Sequence, residues 1–117
     1  MKESRYQTKV LKHLRDRGVY CENIFANGYM AAGIPDIVGC YRGVFVAFEL
    51  KVGKNKPSKL QKAKVNLINS IGGYAIVPYD TFEPIDELLD YIDEQLVNLG
   101  IDKLNTTAFW NYEGGTR

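Results

Sequence analysis

The chain has 117 residues, 45% of them hydrophobic and 25% charged, with a net charge of +1. That length suits one domain with one core, the composition is that of an ordinary soluble protein, and no apolar run approaches the roughly 18 residues of a membrane helix. The near-zero net charge hides an asymmetry: residues 1–64 hold 13 Lys/Arg against 5 Asp/Glu, whereas residues 65–117 hold 2 against 9. A basic half of this kind is expected to face an anion while the acidic half turns away from it. Chance clustering of solvated charges is the alternative.

Met1-Lys2-Glu3-Ser4-Arg5 contains no apolar stretch, so no signal peptide is expected at this end. Cys21 and Cys40 fit no metal spacing; reduced, buried side chains in a cytoplasmic protein are expected.

In chain order, a helix is predicted from about Glu3 to Arg17, with Tyr6, Val10, Leu11 and Leu14 as its apolar stripe and Gly18 as its stop. Val19 to Phe25 reads as a strand weakened by Glu22 and Asn23, and Asn27 to Gly33 as a loop carrying Tyr29 and Met30. Asp36–Tyr41 and Val44–Leu50 are two apolar strand runs joined by Arg42-Gly43. This is hairpin spacing, and the pair should lie inside a sheet. A basic loop, Val52 to Pro57, precedes a helix from about Ser58 to Ile71, with Leu60, Ala63, Leu67, Ile68 and Ile71 expected inward. A short strand over Tyr74–Val77 and an acidic helix from about Pro84 to Asn98 complete an α-β-β-β-α-β-α order. The strand–helix–strand unit implies a parallel pair beside the antiparallel hairpin, hence an α/β fold with a mixed sheet flanked by helices. One domain over 1–117 is expected, with a core of about 3–78.

The hairpin count gives the chemistry. With a two-residue turn at 42–43, opposed residues obey i + j = 85, so Asp36 faces Glu49 and Lys51 lies on the same side. Cβ atoms of such opposed pairs are about 4.5–5.5 Å apart. Two facing carboxylates are unfavourable alone, and either Lys51 or a hard divalent cation bound through oxygen would compensate. The chemistry expected of that set is metal-assisted phosphodiester hydrolysis, with Lys51 orienting water or stabilising charge on phosphorus; an Asp at a strand start with Glu49–Lys51 an ordinary edge pair is the alternative.

Gly33-Ile34-Pro35-Asp36, then Phe48-Glu49-Leu50-Lys51, then Gln61 and the Gly72-Gly73 pair before a hydrophobic strand, resemble the virus-type replication-repair (VRR-NUC) branch of the PD-(D/E)XK nuclease superfamily. The resemblance spans roughly Glu3 to Val77. It implies a restriction-endonuclease-like core and a Mg2+- or Mn2+-dependent, structure-specific DNA endonuclease. It also implies action on branched DNA as a homodimer resembling a Holliday-junction resolvase, and a phage or prophage source with a bacterial cytoplasm as its location. Asp36, Glu49 and the Leu50 carbonyl would hold the metal, Glu3 would reach it directly or through water, Lys51 would be the catalytic lysine, and Gln61 the motif glutamine. A non-catalytic nucleic-acid-binding module on the same fold is the alternative.

Gln61 has a second explanation, because Ser58-Lys59-Leu60-Gln61 is a capping-box sequence. One side chain is not expected to serve both roles fully. Lys54, Lys56, Lys59, Lys62 and Lys64 read as phosphate contacts; the helix-one cations Arg5, Lys9 and Lys12 divide evenly between that and a solvated face. Tyr29 and Met30 either stack on an unpaired base or cover the core. His13 is expected to be a surface residue without a partner. Phe109, Trp110 and Tyr112 are expected to pack on the core or on a dimer partner.

Overall fold

Helix α1 (Glu3–Asp16) buries Tyr6, Val10 and Leu14, one side chain per turn, and leaves Leu11 half-buried. The computed structural model describes residues 2–24 and 32–104. Tyr29, Met30, Phe109, Trp110 and Tyr112 lie outside them. Strands β1 (Tyr20–Asn23), β2 (Ile37–Tyr41), β3 (Val44–Phe48) and β4 (Tyr74–Ile76) form one sheet in the order β1-β2-β3-β4. The first three pair antiparallel, and β3 pairs parallel with β4 after the crossover through α2 (Lys59–Ser70). A last helix, α3 (Glu83–Leu99), buries Ile85, Leu89, Ile92 and Leu96. The chain is thus α/β, with a mixed four-stranded sheet, the hairpin in its interior and three helices. No described helix is long and apolar enough to cross a membrane.

Side chains alternate across the sheet. Ile37, Val46 and Phe48 join α1 and α3 in the larger core cluster. Ala47 and Ala75 meet Val65 of α2 on the opposite face, with Val38 and Ile68 packed around them. The expected inward face of α2 is therefore corrected. Leu60, Leu67 and Ile71 are about half to three-quarters exposed and Ala63 is exposed, while Val65 is the buried residue and Ile68 is half-buried. The helix meets the sheet through a narrow strip, Val65 and Ile68 against Ala47, Ala75 and Val38. Cys40 is corrected too: it lies on this face beside Phe45, toward the turn, and is exposed, whereas Cys21 is buried as expected.

The turn sets the register. Arg42 and Gly43 both have positive φ, 51° and 87°, the sign pattern of the type I′ turn that suits a twisted hairpin. Glycine enters that region freely, whereas arginine does so at a cost. Arg42 is held there by its own contacts: Nη1 donates to Asp93 Oδ1 at 2.7 Å, Nε to the Asp102 carbonyl at 2.7 Å, and its carbonyl accepts from Leu104 N at 2.9 Å. The resulting pairs Tyr41–Val44, Gly39–Val46 and Ile37–Phe48 all satisfy the expected count.

Candidate active site

The ladder between β2 and β3 stops at Ile37–Phe48, one step short of the expected Asp36–Glu49 pair. At that step a side chain takes over from the backbone: Asp36 Oδ2 accepts from the Leu50 amide at 2.9 Å. The Asp36 carbonyl, on the other side, accepts from Ile24 N at 2.7 Å. On the β4 side, Glu49 N donates to the Ile76 carbonyl and Lys51 N to the Pro78 carbonyl. Strand pleating therefore turns the Leu50 amide and carbonyl toward Asp36.

Glu49 is 1% exposed and is the buried charged residue of the described core. Its Oε2 is 3.2 Å from Lys51 Nζ and accepts from Gln61 Nε2 at 2.9 Å. Its Oε1 is buried and has no hydrogen-bond partner among the described residues. Burial, followed by the charge of Asp36 beside it, pushes the Glu49 carboxyl up to about 7 against the opposing pull of Lys51. An unpartnered, buried carboxylate oxygen is costly to stability.

Gln61 serves two masters with the two ends of one amide. Its Oε1 accepts from Ser58 N at 2.8 Å, and Ser58 Oγ accepts from Gln61 N at 3.1 Å, completing the capping box. Its Nε2 remains free for Glu49. The expected conflict between roles is corrected: capping uses the acceptor and the site uses the donor. Gly33 helps bring these groups together. It has φ of +85°, and a Cβ there would stand 2.9 Å from the Leu60 backbone, so glycine lets the segment before Asp36 lie against the first turn of α2.

The structure thus brings Asp36, Glu49, Leu50, Lys51 and Gln61 together. Glu3 is half-buried in the first turn of α1, and among the described residues no group of three or more His, Cys, Asp or Glu side chains is arranged to hold a metal. The oxygens available are those of Asp36, Glu49 and the Leu50 carbonyl. Lys54, Lys56, Lys59 and Lys62 are exposed on the loop after Lys51 and along α2; Tyr29 lies outside the described residues.

Asp80 is a neighbour that the local pattern did not single out. It has φ of 54°, its amide donates to the Lys51 carbonyl at 3.3 Å, and its Oδ2 accepts from Gly53 N at 2.9 Å. It ties the end of β4 to the basic loop, and its distance in sequence from Lys51 left no short-range signal of that contact. His13 also departs from expectation. It is half-buried, stacks on Phe82 with ring centroids 4.6 Å apart, and its Nε2 lies 2.8 Å from Asp86 Oδ1. This is a structural contact between α1 and α3.

No family model matches the sequence, and comparison with curated proteins finds no match.

Proposed function

We propose that this chain is a Mg2+- or Mn2+-dependent DNA endonuclease with a PD-(D/E)XK core of the VRR-NUC type, acting on branched or otherwise structured DNA. The observation that carries this reading is the convergence of Asp36, Glu49, Lys51 and Gln61 around a buried carboxylate oxygen that has no partner among the described residues. The donor set fits a hard divalent ion: two carboxylates and a carbonyl, all oxygen. When bound, such an ion supplies Lewis-acid polarisation of a phosphate and a water of lowered pKa. Asp36, Glu49 and the Leu50 carbonyl would hold it.

The protein side of the mechanism is positional. Lys51, its side chain 12% exposed and paired to Glu49, presents a fixed ammonium for the charge that develops on phosphorus. As a compact point charge it needs no particular orientation of the phosphate. Gln61 fixes the Glu49 carboxylate from the α2 side, so that Oε1, and not Oε2, stays available. Asp36 is fixed in turn by the Leu50 amide.

The test is cleavage of labelled four-way junctions, flaps and plain duplexes with Mg2+ or Mn2+. Nicking that disappears with Lys51→Ala supports the reading; activity unchanged in that variant overturns it. A binding module without catalysis would show no cleavage of any substrate. It would also show no calorimetric Mn2+ binding that Asp36→Ala removes. Light scattering decides whether the active species is the homodimer that a resolvase-like action on two symmetric strands requires.

A further inference from the structure

The cations of the described residues divide into two populations. Lys12, Arg15, Arg17 and Arg42 each pair with an acidic side chain, and Lys51 pairs with Glu49. Lys2, Arg5 and Lys9 on α1, and Lys54, Lys56, Lys59, Lys62 and Lys64 on the loop and α2, have no ionic partner among the described residues; only Lys103 shares that condition elsewhere.

The unpaired cations of α1 lie at the catalytic end of the sheet. Tyr6 Oη donates to the Thr81 carbonyl at 2.7 Å, and the adjacent Asp80 is bonded to Lys51. On the other side of the helix, Asn23 Nδ2 donates to Gln7 Oε1 at 3.4 Å, and the next residue, Ile24, is bonded to Asp36. The first two turns of α1 are therefore anchored, through these contacts, beside both Asp36 and Lys51. Arg5 and Lys9 lie at i and i+4 on the helix, Lys2 precedes them at its N-cap, and all three are exposed on one open surface with Ser4 and Thr8. Stability does not explain them: Lys2 and Arg5 stand at the helix end where the macrodipole disfavours cations.

α1 and α2 cover opposite faces of the sheet; Asp36 and Glu49 lie on the α2 face with Val38 and Ala47, and the first turns of α1 lie on the other face at the same end. A single backbone lying along the α2 side leaves the α1 cations unused, whereas a duplex offers a second backbone. We propose that Lys2, Arg5 and Lys9 form a second phosphate-binding limb that holds the opposite strand of a duplex while the α2 limb holds the strand to be cut. The assignment of which strand is cut rests on the nuclease reading above; the limb itself does not.

The experiment measures affinity without cleavage. Fluorescence anisotropy in EDTA, over a range of salt, compares a blunt duplex of two helical turns with one of its single strands. It uses the wild-type chain and the triple variant Lys2→Gln/Arg5→Gln/Lys9→Gln. Each phosphate contact contributes about 0.9 to the slope of log K against log salt on duplex. The expected result is a loss of about 2–3 from the duplex slope and no change on the single strand. A duplex slope that stays constant overturns the proposal, and so does an equal loss on both ligands, which would make α1 an undirected cation surface. Single substitutions, each expected to remove up to about 1 from the slope, keep the test available should the triple variant not fold. Lys12→Gln, which removes a cation already paired with Asp16, is expected to leave the slope unchanged. A lost duplex slope in a chain that cuts nothing with Mg2+ or Mn2+ would retain the limb and dismiss the nuclease reading. Cleavage with an unchanged slope would do the reverse.

Discussion

The two ends of α1 solve the problem of charge in opposite ways. At the C-terminal end, His13 and Arg17 meet Asp86, Arg17 also reaches Asp90 and Asp93, and Asp93 accepts from Tyr41 and Arg42. Burial alone would raise the carboxyl groups of Asp86 and Asp93, yet hydrogen bonds from these partners outweigh it and hold both below the usual range. At the N-terminal end, Glu49 is more deeply buried, lacks a partner for Oε1 among the described residues and is held well above the usual range. One end is satisfied and ties α3 to the rest of the fold. The other carries a carboxylate with one oxygen paired and the other unpartnered, and a set of cations without ionic partners, among the described residues. Departures from local satisfaction are expected where function imposes them, and here they gather at one end of the sheet.

The sharpest way to break this comparison is to remove Lys51. Loss of one preorganised stabilising group costs about 10²–10³ in rate, so Lys51→Ala should lower initial rates of junction or flap cleavage by at least that range. Asp36→Asn should match it, because it weakens both the hold on the Leu50 amide and the charge offered to a cation. Rates within threefold of wild type in either variant would show that the unsatisfied end is not the catalytic end.

Glu49→Gln tests the same end through stability. The folded carboxyl titrates near 7 against an ordinary 4.5. A raised carboxyl favours the protonated form in the fold, so its contribution is fully present below about 4.5 and is lost as pH rises through about 7. In EDTA at pH 8, wild type therefore carries the cost of a buried charge, and Glu49→Gln should be more stable by about 2 kcal/mol in urea melts, a difference that vanishes by pH 4.5. Mn2+ should raise the wild-type midpoint and leave that of the variant unchanged. A pH-independent difference between the two chains would contradict the raised carboxyl.

Much of this site could be read from the chain alone, for definite reasons. The turn of two residues at Arg42-Gly43 and the two-residue period of a strand fixed the expected opposition of Asp36 and Glu49 and the side on which Lys51 falls. The register that the hairpin adopts follows the same count as far as Ile37–Phe48. What could not be read depended on contacts distant in sequence. Asp93 and Asp102, which hold Arg42 in its turn, lie more than fifty residues away, and Asp86 is farther still from His13. The inward face of α2 was misjudged because hydrophobicity at helical spacing does not say which part of a wide apolar arc meets the sheet. On the sheet surface, Ala47 and Ala75 meet Val65. The dual use of Gln61 needed the direction of its amide, which no spacing contains.

On the satisfied end, Arg17→Ala should cost stability and nothing else. Its side chain is 26% exposed and touches three carboxylates, so the loss should be about 1–2 kcal/mol, below that of a fully buried pair. The lowered carboxyl groups of Asp86 and Asp93 stabilise the fold above their ordinary value of 3.8, and that contribution is lost as pH falls through their folded values. The variant should consequently differ from wild type at pH 7 and converge on it in acid, with its cleavage rate intact. A matching fall in cleavage would mean that the two ends of α1 are coupled and not separate.

The smallest effect lies within one residue, where the comparison repeats on the scale of a single amide. Gln61 Oε1 belongs to the helix cap and Nε2 to the site. Ser58→Ala removes the hydroxyl that accepts from Gln61 N and should cost about 1 kcal/mol in thermal or urea melts. It leaves the Glu49 contact in place, so cleavage should change little. Gln61→Glu does the converse: it keeps an oxygen to accept from Ser58 N but sets a carboxylate where Nε2 donated to Glu49, adding a like charge to one already burdened by burial. Its cap should survive and its cleavage should fall more than that of Ser58→Ala, with a loss that eases as pH drops and one of the two carboxylates takes a proton. Equal cleavage in the two variants would assign Gln61 to the cap alone and leave Glu49 Oε2 dependent on Lys51.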